Sequence, residues 1–297
     1  MPGSRGPETS GSSRVSGSMF KLLALDIDGT LLNSDKAVSA RTRSALDGAR
    51  DAGVHLVLVT GRRHPAARRV AEMLGGDVPL VLHNGALVVE CGSVLRCRPL
   101  PLETARRAIE LGRTHGVDPV VHYGQQAEGR LLVEGVQPRN TLLVYYLDKS
   151  HPDVMLVDDL VAALAEDPIQ VMFGGALAGM DAFSVRLGEA LGTSARIERT
   201  VYPRDGVGIV DVINADVSKA EALRYLQRRW GLRPSETMAI GDNWNDHEML
   251  EQAGLGLVMG NADPAMLRLG LPVLPTNDQD GVAFAIERYV LEGVRPG

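Results

Sequence analysis

Cysteine is scarce in this chain, which contains only Cys91 and Cys97 among its 297 residues. No apolar signal-peptide core precedes them, so we expect two free thiols in a cytoplasmic protein rather than a disulfide. The seven histidines are scattered without the spacing of metal ligands, which argues against a zinc site built from histidine and cysteine. No unbroken apolar run approaches the length that crosses a membrane, so we expect no membrane partner.

Positive charge is not in excess, and lysine in particular is rare. The chain carries 31 basic and 37 acidic residues, a net charge of −6, which argues against nucleic-acid binding. Only four of the basic residues are lysines, so a lysine at the start of a predicted helix is seldom there by chance. This arginine-rich usage is typical of GC-rich bacterial genomes. Nothing in the composition indicates an oligomeric state.

The stretch from Leu22 to Thr30 is the most informative one present. An apolar strand leads directly into Asp26 and Asp28, followed by a Gly-Thr turn. Alternation along an extended chain directs both carboxylates to the same face, where they repel unless they share a proton or a cation. A hard cation such as Mg²⁺ would resolve this repulsion, and one carboxylate could then attack a substrate. The alternative is a strand-end turn in which an aspartate caps backbone amides.

Three further segments place polar groups at a strand end or a helix start. Residues 55–62 contain an apolar run that is followed by Thr60 and Gly61. The alternative is that Thr60 only caps the following helix. Residues 218–221 read Ser-Lys-Ala-Glu, a capping box that puts Lys219 in the first turn of a helix ending before Gly231. Residues 237–246 form a second apolar strand that delivers carboxylates, and its Asp246 could be an ordinary first-turn acid.

Taken together and in this order, the four segments resemble the motifs of the haloacid dehalogenase superfamily of aspartate-nucleophile phosphohydrolases. Residues 83–86 (His-Asn-Gly-Ala), 254–262 and 276–283 are similar to signatures of its Cof-type subgroup, subfamily IIB. One departure precedes Lys219, where the subgroup's Pro-Lys-Gly-Val-Ser-Lys is replaced by Asn-Ala-Asp-Val-Ser-Lys. The lost glycine and the added Asp216 affect the expected shape of that loop, whereas the lysine is retained.

The resemblance implies a Mg²⁺-dependent phosphatase that acts on sugar phosphates or similar small metabolites. It implies that Asp26 attacks phosphorus, and that Asp28 protonates the leaving alcohol and later deprotonates the attacking water. The implied metal ligands are Asp26, the backbone carbonyl of Asp28, and Asp242. Asn84 and Asp246 are implied as supporting residues, Asp246 by orienting Lys219. The implied phosphate-binding residues are Ile27, Thr60, Gly61, Lys219 and Asn245.

The spacing of the motifs predicts an inserted domain, because about 160 residues separate the second motif from the third, far more than a crossover needs. We predict a disordered leader over residues 1–18, which are rich in Ser, Gly, Pro and Arg. The expected fold is α/β, with a doubly wound parallel-sheet core formed by residues 19–86 and 207–297. Residues 87–206 are expected to form an α+β cap that selects the substrate.

Two other functions stay open on sequence alone. A phosphomutase or a sugar-phosphate-specific phosphatase of the same superfamily would use the same core and a similar cap. A non-catalytic metabolite-binding module is the third reading, which the intact Asp26, Asp28, Lys219 and Asp242 argue against. The physiological substrate and the cap residues that select it are not readable from the sequence.

Overall fold

The computed structural model describes residues 19–202 and 205–295, and the predicted leader therefore lies outside the described residues. Among the described residues, no helix is long and apolar enough to span a bilayer. The strands are β1 (Leu22–Leu25), β2 (His55–Val59), β3 (Leu80–Leu82), β4 (Leu87–Glu90), β5 (Ser93–Cys97), β6 (Pro119–Tyr123), β7 (Arg130–Val133), β8 (Val154–Leu156), β9 (Gln170–Ala176), β10 (Ala195–Tyr202), β11 (Val207–Asn214), β12 (Thr237–Gly241) and β13 (Leu255–Val258). The α-helices are α1 (Ala40–Asp51), α2 (His64–Met73), α3 (Leu102–His115), α4 (Thr141–Ser150), α5 (Leu160–Ala163), α6 (Leu177–Leu191), α7 (Lys219–Trp230), α8 (His247–Gln252) and α9 (Gly281–Ala285).

The larger sheet has the strand order β13-β12-β1-β2-β3-β4-β5, and β13 to β3 run parallel. All four residues of β1 are buried, as expected for a parallel strand covered on both faces. Leu23 and Leu25 pack with α1, α2 and α9, whereas Leu22 and Ala24 pack with α7 and α8 on the opposite face. The predicted doubly wound α/β core is confirmed.

The smaller sheet has the order β10-β11-β9-β6-β7-β8 and is antiparallel except where β7 meets β8. Helices α3 and α6 cover one face, packing Ile109 and Phe183 against strand residues such as Val171. On the other face, Leu143 of α4 packs with Val120 and Met172. This arrangement of helices on an antiparallel sheet is the α+β class expected for the inserted segment.

Two segments pair in a different sheet from the one that the predicted boundaries between core and cap imply. The hairpin of β4 and β5 adds antiparallel to β3 in the larger sheet, although residues 87–97 were expected in the cap. Conversely, β11 pairs with β9 and β10 in the smaller sheet, although residue 207 was expected to open the core. Alternating apolar residues identify a strand but not the sheet whose edge it joins. We propose that the two units divide near residues 98 and 215.

Residues 141–147 form most of α4, although their β-branched and aromatic content favours a strand. The side chain of Asn140 caps this helix, since its Oδ1 accepts a hydrogen bond from the backbone N–H of Leu143 at 3.3 Å. Its Nδ2 also donates to the carbonyl of Gly174 at 2.9 Å. A local cap and one buried leucine thus outweigh the residues' preference for a strand.

Candidate active site

Polar side chains meet at the carboxyl edge of the larger sheet. Strands β12, β1 and β2 are neighbours there, and Asp242, Asp26 and Thr60 are the residues that directly follow them. Lys219, the first residue of α7, reaches the same edge. Parallel strands bring their carboxyl ends together, and ligands of open α/β sheets bind at this edge.

Lys219 is almost completely buried, with only 1% of its surface exposed. Its Nζ donates to Asp26 Oδ1 and to Asp246 Oδ1, each at 2.6 Å. Asp246 Oδ2 accepts from the backbone N–H groups of Asp242 and Asn243, at 3.1 and 3.0 Å. Because Asp246 is itself held by these amides, it gives Lys219 a defined position, and an ammonium group has a third N–H to offer a phosphoryl oxygen.

The start of α7 touches the loop of residues 83–86. Ser218 Oγ accepts from the N–H of Glu221 at 3.1 Å, so the helix begins at Lys219 as the capping box predicts. Gly85 has φ +108°, and a Cβ there would lie 2.3 Å from the carbonyl oxygen of Ser218. The glycine of this loop is therefore required for its close approach to the helix that carries Lys219.

Three buried carboxylates, those of Asp26, Asp242 and Asp246, have oxygen atoms within 4.8 Å of one another. Thr30 Oγ1 donates to Asp242 Oδ1 at 3.1 Å, which orients this acid. Gly29 has φ +78°, and a Cβ there would lie 2.2 Å from Asp242 Oδ2. The Gly-Thr pair after the two aspartates therefore lets the ends of β1 and β12 approach closely.

The charges in this cluster fit a divalent cation. Burial raises the pKa of Asp26 to about 7 even though Lys219 opposes the shift, and burial together with the charge of Asp26 raises the pKa of Asp242 well above its ordinary value. Both shifts indicate that one lysine compensates these acids only in part. Asn245 Oδ1 is also buried without a hydrogen-bond partner among the described residues. This oxygen could accept a hydrogen bond from a water molecule bound to such an ion.

This cluster contains both carboxylates of the expected metal-ligand set. Asp26 and Asp242 are there, and the third carboxylate is that of Asp246. The carboxylate of Asp28 is instead paired with arginine. The assignment of the Asp28 backbone carbonyl to the metal stays a prediction.

Asp28 forms a two-pronged ion pair with Arg62. Arg62 Nε donates to Oδ2 at 2.6 Å and Nη2 donates to Oδ1 at 2.7 Å, and Lys36 Nζ lies 3.8 Å from Oδ1. Burial would raise the pKa of Asp28, but the hydrogen bonds and charge of Arg62 outweigh it and hold this pKa below its ordinary value. Arg62 was not among the predicted site residues. Its position two residues after Thr60 in the second motif is the signal that points to it.

The remaining predicted phosphate-binding residues lie around Asp26. Thr60 is buried and its Oγ1 accepts from the N–H of Arg62 at 3.1 Å, which leaves its hydroxyl hydrogen for another acceptor. A Cβ at Gly61 would lie 3.1 Å from Asn84 Oδ1, so this position favours glycine. Ile27 is fully buried, and its carbonyl accepts from the N–H of Leu32. Their contacts to phosphate stay predictions.

Asn84 and Asn245 are joined side chain to side chain. Asn245 Nδ2 donates to Asn84 Oδ1 at 2.9 Å, and Asn84 Nδ2 donates to Asp211 Oδ2 at 3.0 Å. Asn84 has φ +54°, a left-handed conformation that asparagine tolerates better than most residues. Asp211 lies on β11 of the smaller sheet and was not predicted as a site residue.

A cavity of about 480 Å³ lies between the two sheets and has Asp26 at its base. The larger sheet and its loops contribute charged and polar groups to it, Asn245 and Arg62 among them. The smaller unit contributes apolar and aromatic side chains together with polar ones. The first group is Leu142, Tyr145, Tyr146, Met172, Tyr202, Val207 and Ile209, and the second is His122, Lys149, Ser150, Thr200, Asp205 and Asp211.

The free energy of unfolding of the metal-free protein is expected to fall as the pH rises from about 4 to about 7. In the folded state the pKa of Asp26 is raised from 3.8 to about 7, so the folded protein binds more protons than the unfolded chain in this interval. Stability is therefore lost as the proton leaves. Urea unfolding across this range, with EDTA or with Mg²⁺, measures the effect, and we expect Mg²⁺ to stabilise more at the alkaline end.

The variant Asp26→Asn is the control for this titration, because it removes the group and keeps its shape. Asp211, whose pKa burial also raises to about 7, remains in this variant and contributes in the same direction. The pH dependence should therefore become shallower without disappearing. An identical pH dependence in the two proteins would contradict the assignment to Asp26.

Residues 23–286 match the family model of haloacid dehalogenase-like hydrolases. The chain is 27% identical over 278 residues to a 5-amino-6-(5-phospho-D-ribitylamino)uracil phosphatase of Bacillus subtilis, covering 90% of this chain and 97% of that protein. It is 28% identical to a pyridoxal phosphate phosphatase of Escherichia coli, covering 91% of this chain and 99% of that protein.

Solved structures show the same relationship. A haloacid dehalogenase-like hydrolase from Bacteroides thetaiotaomicron superposes with a TM-score of 0.75 at 26% identity, covering 91% of this chain and 99% of that chain. A hydrolase of the same description from B. subtilis has a TM-score of 0.76 at 23% identity, covering 90% and 99% of the two chains. The similarity therefore spans both sheets.

Proposed function

The chain belongs to the haloacid dehalogenase-like hydrolase family and is a phosphomonoesterase, and we propose that it cleaves its substrates through an aspartyl phosphate on Asp26 with Mg²⁺ as cofactor. The observation that carries this proposal is the position of Asp26, which lies buried at the end of β1, bound to Lys219, at the base of the cavity. These contacts hold the carboxylate in one orientation, so it faces a phosphoryl group that enters from the cavity.

The reaction proceeds in two displacements. An Asp26 oxygen bonds to phosphorus while the ester bond breaks, and the leaving alcohol takes a proton from Asp28. Water then gives its proton to Asp28 and attacks phosphorus, which releases inorganic phosphate and restores the Asp26 carboxylate. Lys219, Thr60 and Asn245 bind the equatorial oxygens as charge shifts. Bound Mg²⁺ supplies shielding between the carboxylate and the phosphate dianion, with Asp26 and Asp242 as its carboxylate ligands.

Arg62 controls which form of Asp28 is present. Its two hydrogen bonds favour the ionised carboxylate, which is the form that takes a proton from water. Asp28 becomes a proton donor only when this pair loosens and the carboxylate takes up a proton from solvent water. We propose that the substrate's leaving group brings this about by competing for Arg62.

The wall of the cavity favours substrates with a flat ring over hexose phosphates. Leu142, Tyr146, Met172 and Ile209 offer a ring a broad apolar surface, and Lys149, Thr200 and Asp205 add polar groups around it. The relatives named above act on a phosphorylated uracil derivative and on pyridoxal phosphate, both of which carry a ring. We propose a heterocyclic phosphomonoester from the cytoplasm as the substrate.

Phosphate release from a panel of phosphomonoesters tests this function. The panel contains pyridoxal 5′-phosphate, flavin mononucleotide, glucose 6-phosphate and para-nitrophenyl phosphate, each with Mg²⁺ or with EDTA. We expect release that requires Mg²⁺, with kcat/KM for the ring compounds about tenfold above that for the hexose. Release that persists in EDTA would contradict the metal assignment. An isomerised sugar phosphate without free phosphate would indicate a mutase, and binding without turnover would indicate a metabolite-binding module.

A further inference from the structure

Asp211 is a buried acid of the smaller sheet whose two hydrogen-bond partners are both neutral amides. It is 4% exposed, its Oδ2 accepts from Asn84 Nδ2 at 3.0 Å, and its Oδ1 accepts from Gln170 Nε2 at 2.9 Å. None of the ion pairs in the described part of the chain includes it. A buried carboxylate without a cation costs stability. The advantage of a carboxylate here is that it accepts hydrogen bonds at both oxygens, whereas an asparagine would accept at only one.

This acceptor determines the orientation of two amides in turn. Because ionised Asp211 only accepts, Asn84 must direct its Nδ2 toward it, which leaves Asn84 Oδ1 as an acceptor on the other side. Asn245 Nδ2 donates to that oxygen at 2.9 Å. An amide nitrogen carries two hydrogens, so the second N–H of Asn245 is available to another acceptor. Asn245 and Asp26 both line the cavity.

The relay passes from one unit of the molecule to the other. Asp211 lies on β11, Asn84 lies in the loop that follows β3, and Asn245 lies after β12. We propose that Asp211 is a positioning residue of the reaction centre, which acts through Asn84 to direct the Asn245 amide at the phosphoryl group. This inference rests on the proposed function, since it assigns Asp211 a part in the same reaction. The inserted unit then contributes to phosphoryl binding as well as to the cavity wall.

A double-mutant cycle between Asp211→Asn and Asn245→Ala tests the relay. Asp211→Asn keeps the shape but places two amide donors against a single acceptor, so Asn84 and then Asn245 lose their defined orientation. We expect kcat to fall by about 10- to 100-fold while KM changes by less than about threefold. In the Asn245→Ala background the same change should have little further effect, because the group through which it acts is already absent.

Gln170→Leu is the matched control. Gln170 binds the other oxygen of Asp211 and belongs to the same buried network, but it does not lie between Asp211 and Asn245. We expect this variant to lose stability in urea unfolding and to change kcat by less than about threefold. A fall in kcat as large as that of Asp211→Asn would show that general loosening of the network, rather than the relay, explains the effect.

The cycle is repeated with binding of orthovanadate in the presence of Mg²⁺, measured by calorimetry, so that the relay is tested without turnover. We expect Asp211→Asn to weaken binding by about tenfold in the parent and to have almost no effect in Asn245→Ala. Additive effects in either measurement would overturn the positioning role. If the parent binds orthovanadate with this coupling but hydrolyses no phosphomonoester, the relay stands and the proposed function fails.

Discussion

Replacing Asp26 with asparagine is expected to lower kcat for phosphate release by at least about 10⁴-fold, with little loss of stability. An amide oxygen is a poor nucleophile, so the first displacement has no substitute among the groups around the cavity. The side chain keeps its shape, and its Oδ1 can still accept the hydrogen bond that Lys219 makes to Asp26 at 2.6 Å. The variant also removes an acid whose pKa burial raises, which offsets the lost ion pair.

Mass spectrometry of acid-quenched enzyme provides a second measurement. A phosphorylated peptide that contains residue 26 should appear with the parent and be absent from Asp26→Asn. Asp51→Asn is the matched control, since Asp51 is exposed at the end of α1 and does not line the cavity. Activity of Asp26→Asn within about tenfold of the parent would rule out this residue as the nucleophile.

Replacing Lys219 with methionine is expected to lower both activity and stability. Lys219 is the cation that contacts Asp26 and Asp246, and both of these acids are buried with it. Removing one partner of a buried ion pair leaves uncompensated charge, which typically costs about 3–5 kcal/mol in the free energy of unfolding. Loss of a charged donor that faces the transferred phosphoryl group is expected to lower kcat by about 10³-fold.

Denaturant unfolding separates the two effects of this variant. In EDTA we expect a lower midpoint, and Mg²⁺ should restore part of the stability because it neutralises the same carboxylates, without restoring kcat. Lys21→Met is the matched control, because Lys21 is exposed and pairs with Glu236 at 2.7 Å, and an ion pair with a solvated lysine contributes little to stability. A Lys219→Met protein as stable as this control in EDTA would contradict the view that the lysine compensates the buried acids.

Much of the catalytic core follows from local sequence pattern. Asp26, Thr60 and Asp242 each directly follow an apolar strand, and parallel strands deliver such residues to one edge of a sheet. Lys219 was located by the capping box that starts α7. These assignments needed no knowledge of distant contacts, because strand periodicity and helix capping act over a few residues.

The pairing of strands into sheets did not follow in the same way. The apolar runs in β4 and β11 favour strands, yet β4 extends the larger sheet together with β5, and β11 belongs to the smaller one. The edge that a strand joins depends on which hydrogen-bonding partner is left unpaired elsewhere in the molecule. For α4, a cap and a packing contact with a distant strand outweighed the residues' intrinsic preference.

The chain's local patterns and their family resemblance were thus sufficient to place Asp26 and Lys219 at the sheet edge and to predict the fold class and an inserted unit. The partners of those residues required the folded molecule: Arg62 meets Asp28 across 34 positions of sequence, and Asp211 meets Asn84 across 127. Neither pair lies within one helix turn or one hairpin, so no local periodicity of the sequence predicts it. The first contact arises because β1 and β2 are neighbours in the larger sheet, and the second depends on how the inserted unit packs on the core.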